Sequence, residues 1–355
     1  MRLTLPSLAA TLLLIAAGCA ASPQQAATQP TPEQLAPPPA ASQQDLLPAG
    51  AEALLAELHA ALASVDDGAV ADYIPQLALA DAEHFGIAIV TVDGRVFTVG
   101  DTDVPFTIQS IAKPFVFGLA LRDHPREELV QKVGVEPTGL PFNSVLGTEV
   151  RTLKTQNPLV NPGAIATTSL IQGADSAEQY ARVAQIMDAY AGESLGFDEA
   201  VYQSEMASNS RNMALAWQLV NQGILYGDPE DAVRRYTRAG CITVTARTLA
   251  QMGATLANGG SNPLTGARVL EPLQVVDMLS VMSMAGLYDY SGEWMFRVGL
   301  PAKSGVGGGI VAVVPGRFAI ATFSPPLDRN GNSVRGIRAI TELSRRWGLH
   351  LLLPR

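Results

Sequence analysis

Ser110 and Lys113 stand three residues apart in Phe106-Thr107-Ile108-Gln109-Ser110-Ile111-Ala112-Lys113-Pro114-Phe115, an S-x-x-K spacing followed by an apolar run to Leu121. On a helix, three residues is close to one turn, so both side chains leave the same face and can meet. A serine hydroxyl is a poor nucleophile until a base takes its proton. A lysine amine can be that base only where burial or a cationic neighbour lowers its pKa. Ile108, Ile111, Phe115 and Phe117 offer such a dry setting. The chemistry these residues suggest is attack by an activated serine. Alone the spacing is common, because a helix start with Ser110 near its cap and Lys113 in solvent reads the same way.

A second stretch, Lys303-Ser304-Gly305-Val306-Gly307-Gly308-Gly309, precedes the last strand-like runs. A strand laid along a site offers backbone N–H groups to a developing oxyanion, and glycines let a substrate come close to that backbone. A glycine-rich turn would use the same residues.

The elements that must position these groups follow from periodicity. Leu54, Leu55, Leu58 and Leu62 form the stripe of an amphipathic helix. Gly86–Val92 and Arg95–Val99 are β-rich runs around Asp93-Gly94, a hairpin signal. Residues 125–290 read as mostly helical. Their starts include a capping box of Ser176 with Gln179 and the pair Asp228-Pro229, and a stop falls at Gly259-Gly260. Further helices are expected over Thr245–Asn258 and Pro272–Met284. Ile310–Val314 and Phe318–Phe323 form a second hairpin about Pro315-Gly316, and a helix over Ile337–Trp347 closes the chain. The ends are therefore α+β and the middle all α. A sheet assembled from both ends of the chain is the arrangement this order implies.

Bulk composition narrows the function. The chain has 355 residues, 47% hydrophobic and 16% charged, with a net charge of −9. That is material for a sizeable core and offers no basic patch for a phosphate backbone, which argues against nucleic acid. Two cysteines, Cys19 and Cys241, make no disulfide framework and no cysteine-based zinc site. His59, His84, His124 and His350 show no ligand spacing, so no metal site is expected.

Residues 1–18 read as a signal peptide, with Arg2 ahead of an apolar run from Leu8 to Ala17 that is too short to span a membrane. Ala16-Ala17-Gly18-Cys19 resembles the lipobox of bacterial lipoproteins, in which the cysteine is lipidated. Residues 19–50, rich in Pro, Ala and Gln, read as a disordered tether, and the folded domain is expected over 51–355. This leader places the protein outside the cytoplasm, periplasmic or held to a membrane through Cys19.

Taken together, the chain resembles the serine-dependent glutaminases. The stretches that carry the resemblance are Ala71-Asp72-Tyr73-Ile74-Pro75, Gln109 to Lys113, Asn157 to Ile165, Ser204 to Ala216, Tyr236 to Val244, Leu256 to Gly266, and Gly286-Leu287-Tyr288-Asp289 through Gly309. They cover about residues 65–350 in the family's order. Lys303-Ser304-Gly305 is in turn similar to the Lys-Thr-Gly element of penicillin-recognising enzymes. The resemblance implies an α/β (α+β) serine hydrolase fold like that of β-lactamases and penicillin-binding proteins. Its antiparallel sheet would come from about 51–125 and 295–355 and be flanked by helices, with an all-helical part over about 126–294. It implies hydrolysis of L-glutamine to L-glutamate and ammonia without a cofactor, in a homodimer or homotetramer. Family members are usually cytoplasmic, so the leader departs from the pattern. Pro162 also departs from it, following Asn161 where the family has a small residue.

Carried over position by position, the resemblance makes Ser110 the acylated nucleophile and Lys113 its base, with Tyr288 a further catalytic group. Substrate contacts fall on Ser110, Asn161, Glu205, Asn212, Tyr236, Tyr288 and the backbone of Val306, with Tyr73 and Lys303 as additional candidates. Glu205 and Asn212 are seven apart, two helical turns, and are expected on one face. A carboxylate there suits an α-ammonium, and amides and phenols suit an α-carboxylate. Two alternatives use the same residues. One is a β-lactamase or peptidoglycan carboxypeptidase, and the other is an inactive lipoprotein that binds an amino acid or cell-wall fragment.

Overall fold

The computed structural model describes residues 46–354 apart from 138, 145 and 147–155. Cys19, the expected signal peptide and nearly all of the expected tether lie outside the described residues. Order begins ahead of the expected Ala51: Leu47 is buried, and the Leu46 carbonyl accepts a 3.1 Å hydrogen bond from Arg317.

Strands β1 (Gly86–Thr91) and β2 (Val96–Gly100) form the hairpin expected around Asp93-Gly94. Three short strands, β3 (Phe106–Thr107), β4 (Gly196–Phe197) and β5 (Ile242–Val244), make a small sheet in the order β3-β5-β4. From the C-terminal part, β6 (Ala302–Ser304), β7 (Gly309–Val314) and β8 (Phe318–Phe323) join the first hairpin in a five-stranded antiparallel sheet, order β2-β1-β8-β7-β6. The main sheet thus draws on both chain ends, as expected. The small sheet places β4 and β5 inside the region read as all helical. Two or three residues are too few for a period-2 pattern to register.

The main sheet is covered on both faces, which explains why β1, β7 and β8 are near-continuous apolar runs. Ile87, Ile89, Ile310, Ala312, Phe318 and Ile320 share one core cluster with Leu55, Leu58, Trp294, Ile340 and Leu343. Their chain neighbours Ala88, Val90, Val311, Val313, Ala319 and Ala321 belong to the other, with the helices Ala112–Asp123 and Ala246–Ala257. That division is the pleat's alternation, and each large apolar side chain buried this way contributes about 1.5–3 kcal/mol. Gly253 lets the helix Ala246–Ala257 lie directly on the sheet, since a Cβ there would stand 2.6 Å from Ala319 Cβ.

Local chemistry sets the helix starts. Thr245 and Asp228 cap the helices Ala246–Ala257 and Pro229–Gly240 through their side-chain oxygens. The expected capping box at Ser176 is displaced by one residue. Asp175 is the cap, accepting from Glu178 N at 2.8 Å, and Ser176 is the first helical residue. A true capping box occurs instead at Glu271 and Gln274. Pro162 sits in the first turn of the helix Asn161–Ser169, where a missing N–H costs no helical bond. The helix Ala112–Asp123 is buried from Ala112 to Leu121, as its all-round apolar sequence requires.

Candidate active site

β3 leads through Ile108 into a 3-10 turn over Gln109–Ile111, and the buried helix starts at Ala112. Ser110 lies in that turn and Lys113 in the first helical turn. Lys113 Nζ stands 3.1 Å from Ser110 Oγ and donates at 2.7 Å to Asn161 Oδ1. Only 4% of Lys113 is exposed. Burial pushes its amine down to about 7, against the upward pull of the Glu205 carboxylate. The S-x-x-K pair therefore meets as the spacing implied, with an amine able to be neutral near pH 7.

Among the described residues, the two non-glycine residues with left-handed backbone are Gln109, φ 52°, and Tyr288, φ 54°. Such conformations cost about 1–3 kcal/mol and persist where the surroundings enforce them. Both border the same hydroxyl. Gln109 precedes Ser110 in the chain, and the Tyr288 phenol hydrogen-bonds the Ser110 side chain. Burial pushes that phenol up to about 12, opposed by side-chain hydrogen bonds with Ser110 and Ser304, while the phenol itself donates to the Ser304 carbonyl at 3.4 Å. Ser291 holds the backbone on either side of Tyr288, accepting from Leu287 N at 2.9 Å and donating to Tyr288 O at 2.7 Å. Phe142 packs on the Tyr288 ring with centroids 4.7 Å apart.

Gln109, Ser110, Lys113, Ala164, Glu205 and Tyr236 line one pocket. Burial raises the Glu205 carboxyl, opposed by hydrogen bonds from Gln109 Nε2 at 2.7 Å and Cys241 Sγ at 3.6 Å and by the charge of Lys113. Both hydrogen-bonding partners are neutral, and the charge that acts on Glu205 is that of Lys113. Tyr236 presents its ring 5.7 Å from Lys113 Nζ, and burial raises its phenol well above the usual value.

The expected shared face of Glu205 and Asn212 is not found. The helix Glu199–Ala207 ends before Ser208, and a second helix runs over Ser210–Asn221. Ser208 Oγ bonds back to the carbonyls of Ser204 and Glu205, a local alternative to the helical ladder. Asn212 instead joins the site through Asn161, whose Nδ2 donates to its Oδ1 at 3.0 Å.

The turn after β6, which carries Val306, lies against Thr107 and Ile108. Gly305 and Gly307 allow the approach: a Cβ on either would stand 2.9 Å from Ile108 O or 2.6 Å from Thr107 O. Lys303 is fully buried. Its amine donates to Ser304 O at 2.6 Å and lies 4.2 Å from the centre of the Tyr288 ring. Burial, then the charge of Lys113, hold it well below its usual value. Tyr73 remains 60% exposed, yet its phenol is raised by desolvation and then by Tyr288 and Glu205. Sequence reasoning missed Gln109, Cys241, Asn209 and Thr237. All four sit within the stretches or turns that carried the resemblance, but an uncharged side chain gives no sign of its partner.

This geometry has close relatives. The glutaminase family model matches residues 68–352. The chain is 49% identical over 294 residues to a glutaminase of Microcystis aeruginosa, covering 83% of this chain and 87% of that protein. It is 50% identical over 298 residues to glutaminase 2 of Bradyrhizobium diazoefficiens, covering 84% of this chain and 47% of that longer protein. Among solved structures, the probable glutaminase ybaS superposes with a TM-score of 0.84 at 44% identity, over 85% of this chain and 98% of its own. The probable glutaminase from Bacillus subtilis complexed with 6-diazo-5-oxo-L-norleucine gives a TM-score of 0.79 at 27% identity, over 88% of this chain and 100% of its own. These structures have the β-lactamase-like fold, and so does this chain. Matched along nearly all of its folded length, the chain belongs to the glutaminase family.

Proposed function

We propose that this glutaminase cleaves the side-chain amide of L-glutamine through an acyl-enzyme on Ser110. The observation that carries this reading is the pocket in which Ser110 and its Lys113 amine share walls with Glu205, a half-buried carboxylate whose hydrogen bonds come from the neutral Gln109 and Cys241 side chains. An α-amino acid supplies a cation as its ammonium, and its amide carbon is what an activated serine attacks. Lys113 takes the Ser110 proton as the Oγ–C bond forms, and the N–H groups of Ser110 and Val306 hold the oxyanion. Lys113 returns the proton to the departing ammonia. Water, activated beside Lys113 or Tyr288, then cleaves the γ-glutamyl ester and releases glutamate. Asn161, Asn212, Tyr236 and Tyr73 contribute amide and phenol donors for the α-carboxylate. A relative solved in its glutamate form, at 40% identity and a TM-score of 0.82, is consistent with an amino-acid product.

The test is hydrolysis by the purified protein. Glutamate and ammonia should appear in equal amounts from L-glutamine, with no turnover of a chromogenic β-lactam. Hydrolysis of the β-lactam without glutamine turnover would move the protein to the alternative class. Residues 1–18 are read, from their composition, as an export signal, and Cys19 as a lipid acceptor. Assembly as a homodimer or homotetramer completes the proposal and is tested by sedimentation.

A further inference from the structure

Four side chains run from the Lys113 amine into the protein, each passing its hydrogen onward. Lys113 Nζ donates to Asn161 Oδ1 at 2.7 Å, and Asn161 Nδ2 to Asn212 Oδ1 at 3.0 Å. Asn212 Nδ2 then donates to Asn209 Oδ1 at 2.6 Å, and Asn209 Nδ2 to Thr237 Oγ1 at 2.7 Å. Thr237 Oγ1 donates to the main-chain carbonyl of Val233 at 2.9 Å. Thr237 is 2% exposed and Asn209 8%, so solvent supplies neither with an easy substitute.

The last link gives the chain its direction. A main-chain carbonyl can only accept, so Thr237 must present its hydrogen to Val233 and its oxygen to Asn209. Asn209 is then bound to point its NH2 at Thr237 and its oxygen at Asn212, and the same choice propagates to Asn161. Reversed, the chain would forfeit the Val233 bond and turn the Asn161 NH2 toward Lys113. That difference matters for the chemistry. A neutral amine has two hydrogens and one lone pair. With Asn161 Oδ1 in front of it, Lys113 gives a hydrogen to Asn161 and keeps the lone pair for the Ser110 proton. Facing an NH2, the lone pair would be occupied.

We propose that Asn209 and Thr237 are positioning residues that orient the Asn161 amide and thereby leave the Lys113 lone pair free for Ser110. This rests on the reading of Lys113 as the base. Neither residue is required to touch substrate.

Removing the anchor should also move the acid limb of the rate profile. The Asn161 oxygen favours the charged amine, and its replacement by an NH2 disfavours it, so the limb shifts to lower pH. The other titratable groups that face Lys113 are Glu205, Tyr236 and Lys303, with Tyr288 reached through Ser110. The helix Asn161–Ser169 contributes no titratable side chain. On the remaining helices packed around Lys113's own, Tyr190 meets Phe115 and Asp277 is paired with Arg126.

The experiment compares Thr237→Val, which keeps volume and loses the hydroxyl, with Thr237→Ser, which keeps the hydroxyl. Asn209→Leu carries the same expectation as Thr237→Val should the latter fail to fold, and Lys113→Arg is run alongside. In Thr237→Val, kcat for glutamine should fall about tenfold, the loss of roughly one hydrogen bond's worth of orientation, with KM little changed and the acid limb moved to lower pH. Thr237→Ser should restore rate and limb. An unmoved limb with full kcat per folded molecule, or a raised KM at unchanged kcat, would overturn the proposal while leaving Lys113 as base. Normal turnover in Lys113→Arg would instead remove the reading beneath it.

Discussion

Gln109, the residue before Ser110, gives its side-chain amide to Glu205 Oε1 at 2.7 Å across 96 residues of sequence. The backbone that aims the serine is thus tied to the carboxylate proposed to read the substrate's ammonium. Gln109 makes the link from a left-handed conformation, φ 52°, and the bond offsets part of the cost of burying Glu205.

Gln109→Asn isolates that link. Asparagine accepts left-handed backbone more readily than glutamine, but its shorter amide cannot reach Glu205. A hydrogen bond to a charged group is worth about 1.5–3 kcal/mol, so kcat/KM for glutamine should fall roughly 10- to 100-fold. Thermal stability should hold. Steady-state kinetics beside a melting curve checks both, and an unchanged kcat/KM would reduce the link to architecture.

Glu205→Gln keeps shape and hydrogen-bonding capacity while removing the charge. Loss of one partner from a largely buried ion pair costs about 3–5 kcal/mol, so glutamine turnover should fall by a hundredfold or more. An analogue without the α-amino group should suffer much less, because it offers Glu205 no cation. Equal losses on the two substrates would mean that Glu205 supports the pocket and does not read the substrate.

Burial pushes the Lys113 amine down to about 7, and only the neutral form can take the Ser110 proton. The rate should therefore rise with pH through about 7 and level above it. Lys113→Arg, permanently charged, should lose orders of magnitude of turnover at every pH with the fold intact. A wild-type profile flat from pH 6 to 8 would argue that Lys113 does not titrate as the base.

The proposed leader carries its own expectation. Palmitate fed to cells should label the wild-type protein and not Cys19→Ala, with both still crossing the inner membrane. Full-length, unprocessed protein found in the cytoplasm would show that residues 1–19 do not act as an export signal.

How legible this was depends on how local each relationship is. The Ser110–Lys113 pairing spans one turn, and the two hairpins announce themselves at Asp93-Gly94 and Pro315-Gly316. Glu205 and Asn212 looked like one helix because nothing in Ser208-Asn209 is a strong breaker. The break comes from Ser208 bonding back and Asn209 reaching Thr237, 28 residues away. Strands β4 and β5 stayed hidden because their pairing with β3 is non-local and each is too short to carry a period. The strain at Gln109 and Tyr288 could not be read from residue types that rarely adopt left-handed backbone.

A covalent intermediate on Ser110 can be read by intact mass spectrometry after exposure to 6-diazo-5-oxo-L-norleucine. One added label per chain is expected, mapped by peptide analysis to Ser110, blocked by excess L-glutamine and absent in Ser110→Ala. Labelling that persists in Ser110→Ala, or that maps to another residue, would contradict it.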